Sequence, residues 1–186
     1  MIAWLVAAVA VGGVVIGVVR NKPDTASPTM ANAGNAVPGI APLPDLSALS
    51  PEERFATLFD RLMRAGTAWD SATVASLSPL AMAAYADLDS VDADTRFHAG
   101  LIAIQIGNFR GAHALADTLE ARDPGHLFGP ILVGALARLE GDTVAYRQAL
   151  DRIRERAPGE LARTDRPEYV EHRQLLTEVQ QAAETQ

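Results

Sequence analysis

The chain has no cysteine, a single lysine (Lys22) and few aromatic residues, and each scarcity removes a class of protein. Without thiols there is no disulfide framework, cysteine-ligated zinc, iron–sulfur cluster, covalently attached haem or cysteine nucleophile. The compartment stays open, because a thiol-free chain suits oxidising and reducing surroundings alike. Sixteen basic residues face 23 acidic ones, a net charge of −7, so the positive footprint of a nucleic-acid binder is missing. The sequence also lacks the glycine-rich phosphate loops, the G-x-S-x-G nucleophile turn and the H-E-x-x-H zinc motif. No stretch alternates as a half-buried strand would. With aromatics at 5% and Ala, Leu and Val dominant, the expectation is an all-α protein whose helices pack through small residues.

What is present begins with an apolar run over residues 2–19, closed by Arg20. At about 1.5 Å per residue it reaches roughly 27 Å, enough for the hydrocarbon core of a bilayer. No Lys or Arg precedes it, and it exceeds the usual signal-peptide core of about 7–15 residues, so residues 1–20 are predicted to be an uncleaved transmembrane helix. Ala8 with Gly12, and Gly13 with Gly17, form small-xxx-small patterns that let helix backbones approach closely in lipid. These four residues are the expected packing face against other spans. Arg20 and Lys22 place the body in the cytoplasm by the positive-inside rule, the periplasm being the alternative. The expected location is the bacterial inner membrane, with one span. Residues 21–49 hold Pro23, Pro28, Pro38, Pro42 and Pro44 among small residues and read as an extended linker.

The body, residues 50–186, repeats itself. Gly100 recurs as Gly134, Gly107 as Gly141, Asn108 as Asp142 and Pro124 as Pro158, always 34 residues on; Ala103/Ala137 and Leu119/Ile153 keep the register. In this pattern the chain resembles the tetratricopeptide repeat family, with Gly100, Gly107, Phe109, Ala112 and Pro124 at the family's small, turn, aromatic, small and proline positions. The best units are residues 93–126 and 127–160. In the second, Tyr146 and Thr143 replace the family's small and aromatic residues. A degenerate unit covers residues 59–92, where Ser78 and Pro79 start an additional helix. Residues 167–183, with Val170, Leu175, Leu176 and Val179, read as one cap helix. Independently, Ser50, Pro51 and Glu53 form a capping box ahead of the stripe Phe55, Leu58, Phe59, Leu62.

The resemblance implies a concave groove lined by the first helices of successive repeats. By position the lining is Asp94, Phe97, Leu101, Ile104 and Gln105, followed by Phe128, Ile131, Ala135 and Arg138. Such a groove is apolar and suits a hydrophobic segment, although the same spacing is that of core residues. Signals for chemistry are sparse. Asp94 with His98 and His113 with Asp117 each lie one helical turn apart, but a pair supplies two metal ligands and no spacing supplies a third. The alternating Asp87, Asp89, Asp92 and Asp94 lack the glycine and glutamate of a calcium loop. The arginines from Arg147 to Arg173 interleave with acids as a solvated face does, an anionic docking surface being the other reading.

The sequence therefore predicts a protein that is not an enzyme, with no cofactor, metal, nucleic acid or small-molecule substrate. Its expected partners are the bilayer and other subunits of a membrane complex, for example an energy-converting respiratory or photosynthetic assembly that it stabilises as a scaffold or accessory subunit. The alternative is a membrane-anchored chaperone or assembly factor holding client polypeptides, similar in layout to those of the translocon or of cytochrome c maturation. A third reading is an enzyme completed by its partner, with His98, His113 and His172 as the residues to test.

Overall fold

In most of the helices a short polar side chain takes up the first free amides. Asp70 accepts from the Thr73 amide at 3.0 Å, Asp92 from Thr95 at 2.8 Å, Asn108 from Gly111 at 3.0 Å, and Asp142 from Val144 and Ala145. The capping box is reciprocal: the Glu53 amide donates to Ser50 Oγ and the Ser50 amide to Glu53 Oε2. The computed structural model describes residues 43–185. After a 3₁₀ turn at Leu46–Ala48, eight α-helices follow with no strand among the described residues: α1 (Pro51–Thr67), α2 (Ser71–Ala86), α3 (Ala93–Gln105), α4 (Phe109–Arg122), α5 (Phe128–Glu140), α6 (Thr143–Glu160), α7 (Pro167–Glu171) and α8 (Arg173–Glu184). The all-α expectation holds. The predicted anchor, with Ala8, Gly12, Gly13 and Gly17, and most of the linker lie outside the described residues, among which no helix is long and apolar enough to cross a membrane.

The helices pack as successive antiparallel pairs, α1 on α2, α3 on α4 and α5 on α6, while α1, α3 and α5 touch in turn and α8 covers α6. The turns inside the second and third pairs repeat in geometry as well as in sequence. Gly107 and Gly141, 34 residues apart, hold left-handed φ angles of 73° and 76°, and each precedes the capping Asn108 or Asp142. Gly100 is required by a close approach: a Cβ there would stand 2.5 Å from Leu132 Cδ1 of α5. The core runs through all pairs, from Phe55, Leu58, Phe59 and Leu62 through Phe97, Ile102 and Leu119 to Phe128, Leu132, Ile153 and Leu176.

Three local expectations are corrected. Pro79 does not start a helix; it lies inside α2, whose start Asp70 sets eight residues earlier. The carbonyl Pro79 leaves without a donor belongs to Ala75, which is exposed to water. Pro158 likewise lies inside the last turn of α6 instead of ending it, so the second repeat diverges from the first. The cap segment is two helices, broken at His172 (φ −95°, ψ 15°), and Val170, assigned to its apolar stripe, is 64% exposed. The buried stripe is Tyr169, His172, Leu175, Leu176 and Ala183, a 3–4-residue spacing that sets Tyr169 against Phe128 of α5 and His172 against Phe97 and Asp94 of α3.

Candidate functional site

The chain has five phenylalanines, and four of them build one aromatic row with three histidines and Tyr169. Phe55 stacks on Phe59 at 6.4 Å between ring centres, and Phe59 on His98 at 3.8 Å with planes 16° apart. Phe97 of α3 lies parallel to Phe128 of α5 at 4.2 Å. The His172 ring meets both edge-on, at 5.6 and 5.1 Å, the favoured arrangement for a ring edge on an aromatic face. Tyr169 and His126 close the row against Phe128.

This packing brings together three groups that sequence spacing could only pair. Asp94 and His98 point from adjacent turns of α3, and His172 arrives from the break between α7 and α8. His172 Nε2 is 2.6 Å from Asp94 Oδ1, His98 Nε2 is 3.5 Å from the same oxygen, and the two Nε2 atoms are 3.2 Å apart. The His172 side chain is 1% exposed, His98 15% and Asp94 23%. Burial pushes the His98 imidazole down to about 4, outweighing the upward pull of Asp94. Burial also works to raise Asp94, but the hydrogen bond from His172 and the adjacent imidazoles outweigh it and hold the carboxyl below its ordinary value. At neutral pH the cluster is thus a carboxylate beside a neutral imidazole.

The cluster forms part of the wall of a cleft of about 610 Å³ between α1, the α2–α3 connection and the α7–α8 break. Its lining includes the carboxylates of Glu52, Asp60, Asp92, Asp94 and Glu171, the apolar Phe55, Phe59 and Leu88, and no lysine or arginine. Asp94, His98 and His172 are the described residues that could hold a metal ion.

Behind the cluster a polar lattice pins the C-terminal segment. Tyr169 Oη accepts the Leu127 amide at 2.9 Å and donates to Glu160 Oε2 at 3.1 Å. Arg166, 9% exposed, ion-pairs with Asp123 at 2.7 Å and Glu160 at 2.8 Å. His126 Nδ1 accepts the Phe128 amide at 3.1 Å, which places the ring proton on Nε2, donated to Glu168 at 3.0 Å. The N-terminus of α5, which has no cap of the usual kind, is held by these two side chains.

The residues assigned to a concave groove divide. Phe97 and Phe128 are fully buried, and Leu101, Ile104 and Ile131 nearly so. All five belong to the core, and His172 and Tyr169 cover Phe97 and Phe128. Gln105 is half-buried and donates to the Leu62 carbonyl at 3.3 Å, Ala135 is half-buried, and Arg138 is exposed over the Tyr146 ring. Asp94 belongs to the histidine cluster. His113 does not engage Asp117; it meets Glu140 of α5 at 3.1 Å. Of the seven C-terminal arginines, five are ion-paired, Arg156 bidentately to Glu120 across helices, which accounts for them without an anionic ligand. No protein-family model matches the chain, no curated protein matches its sequence, and no solved structure matches its fold.

Proposed function

We propose that this chain is a membrane-anchored interaction protein of tetratricopeptide-like architecture, a non-catalytic scaffold or accessory subunit that binds a larger integral-membrane complex. The apolar run over residues 2–19 supplies the anchor, the proline-rich segment the reach, and the paired helices the contact surface. The observation that carries the reading is the apolar side chain held out at each hairpin tip. Trp69 lies in the α1–α2 turn and is 75% exposed, Ile106 in the α3–α4 turn at 42%, and Val144 at the start of α6 at 60%. Trp69 is also the one described residue other than glycine with a left-handed backbone, φ 58°. A large apolar residue kept exposed in a strained turn is costly to the free protein and pays its way only in a contact.

The buried groove favours a scaffold over a chaperone, since a client-holding cleft needs Phe97, Leu101 and Ile131 accessible and they are not. The test is gentle detergent extraction of the full chain followed by mass spectrometry of what co-purifies. Defined integral-membrane subunits in fixed ratio, lost on Trp69→Ser, support the reading; migration as a lone monomer ends it. A reporter fused after Gln186 decides between the cytoplasmic and periplasmic placement of the domain.

A further inference from the structure

Asp94, His98 and His172 leave a problem of protons. The 2.6 Å contact between His172 Nε2 and Asp94 requires a proton on that nitrogen. His98 Nε2, 3.2 Å from the same nitrogen and 3.5 Å from the same oxygen, then faces one hydrogen already in use. No arrangement of ring protons gives each of the three atoms a good partner of its own. A cation would: the three atoms lie within 4.8 Å of one another, and each can offer a lone pair once His172 Nε2 gives up its proton.

The spacing suits this. With metal–ligand distances of about 2.0–2.1 Å, ligand atoms of a tetrahedral zinc site lie roughly 3.3 Å apart. Two of the three separations, 3.2 and 3.5 Å, are of that length, and the third, 2.6 Å, is a hydrogen bond that opens when its proton leaves. Two imidazoles and a carboxylate form the donor set of open zinc and related transition-ion sites, in which the remaining positions face solvent or a ligand. Here they face the cleft, whose lining adds the carboxylates of Asp92 and Glu171 and holds no lysine or arginine, which favours a cation independently of the ligands.

We propose that Asp94, His98 and His172 bind a divalent transition ion, zinc by the chemistry of the donors, and that the ion fastens the C-terminal segment to α3. When the metal takes His172 Nε2, the single ring proton shifts from Nε2 to Nδ1, a buried atom without a partner. Metal-ligating histidines ordinarily donate that proton to a second group, and its loss weakens a site by about 10–100-fold. The site is therefore a reversible one, weaker than a structural zinc finger. The inference is independent of the partner reading above, and either can fail alone.

The test uses the full chain, free of any affinity tag, in detergent micelles, titrated with Co²⁺ and then with Zn²⁺. The expected result is one equivalent of Co²⁺ with visible ligand-field absorption, displaced by Zn²⁺, and slower proteolytic cleavage between residues 161 and 173 when metal is bound. Asp94→Asn keeps an acceptor for His172 and so keeps the fold, yet is expected to bind more than about tenfold more weakly, as is His98→Gln. His113→Gln is expected to bind as the parent does. Absence of saturable binding, or equal affinity in the parent and Asp94→Asn, overturns the proposal.

Discussion

The carboxylate of Asp94 and the imidazole of His172 meet at 2.6 Å although 78 residues of chain separate them. Through this contact the last helices are tied to the second hairpin. In metal-free protein Asp94→Ala removes a charge-assisted hydrogen bond to a buried ring, a loss of about 1.5–3 kcal/mol in urea denaturation. The same variant is expected to be cleaved by protease in the segment leading to His172 under conditions where the parent resists. Unchanged denaturation and cleavage would show that the aromatic contacts alone hold the segment.

A second prediction concerns acid. His126 is buried and its Nδ1 is occupied by the Phe128 amide. Burial holds its imidazole below the ordinary 6.5, outweighing the upward pull of Glu168 and Asp123, while Arg166 adds to the depression. A depressed pKa in the folded state stabilises fully above the unfolded value, and that contribution is lost as pH falls from about 6.5 towards the lowered folded value. The denaturation midpoint should therefore drop between about pH 7.5 and 5.5. His126→Gln should make the slope shallower without flattening it, because His98, held near 4, titrates in the same direction. The carboxylates of Asp70 and Asp123, also depressed from 3.8, act only at still lower pH and do not confound the measurement.

Two glycines related by the 34-residue period are expected to respond differently to alanine. At Gly100 the new Cβ would sit 2.5 Å from Leu132 Cδ1 and 3.1 Å from Cδ2, and Leu132 is fully buried. Overpacking of this kind costs about 1–3 kcal/mol, of which better helix propensity returns at most about 1 kcal/mol. At Gly134 the nearest atom is Ala149 Cβ at 3.4 Å, so alanine fits. Thermal melts should show a lower midpoint for Gly100→Ala and an equal or higher one for Gly134→Ala.

Trp69→Gly separates folding from function. A left-handed φ costs a residue with a side chain about 1–2 kcal/mol, so glycine should stabilise the domain by about 1 kcal/mol in denaturant. The same change removes an exposed apolar surface and should reduce recovery of membrane partners. A variant that is more stable yet binds partners equally would remove Trp69 from the contact surface.

Much of the helical framework is legible in local residues. The Ser50–Glu53 capping box, the Phe55–Leu62 stripe and the paired Gly107/Gly141 turns act over three to eight residues, and each has the geometry its chemistry dictates. The departures arise where distant segments decide. Phe97 and Phe128 have the spacing of groove and of core alike, and the return of Tyr169 and His172 over them is what local spacing does not show. His172 escapes notice because Val170, Leu175, Leu176 and Val179 offer a competing apolar stripe; the buried set is Tyr169, His172, Leu175, Leu176 and Ala183, which places the imidazole inward. Its partners Asp94 and His98 are legible as a pair, but no rule of spacing reaches across 78 residues to the third member. Pro79 and Pro158 mislead for a different reason: a proline within a helix is tolerated where the carbonyl it strands can reach water.

The covering of the Phe97–Phe128 stack by residues that follow it in the chain has a consequence for how the protein is made. As the polypeptide emerges from the ribosome, the second and third hairpins can assemble before Tyr169 and His172 exist to cover them. For that interval the faces that Tyr169 and His172 will cover stay open to solvent, so the packing of the second and third hairpins is completed only by the last residues to be made.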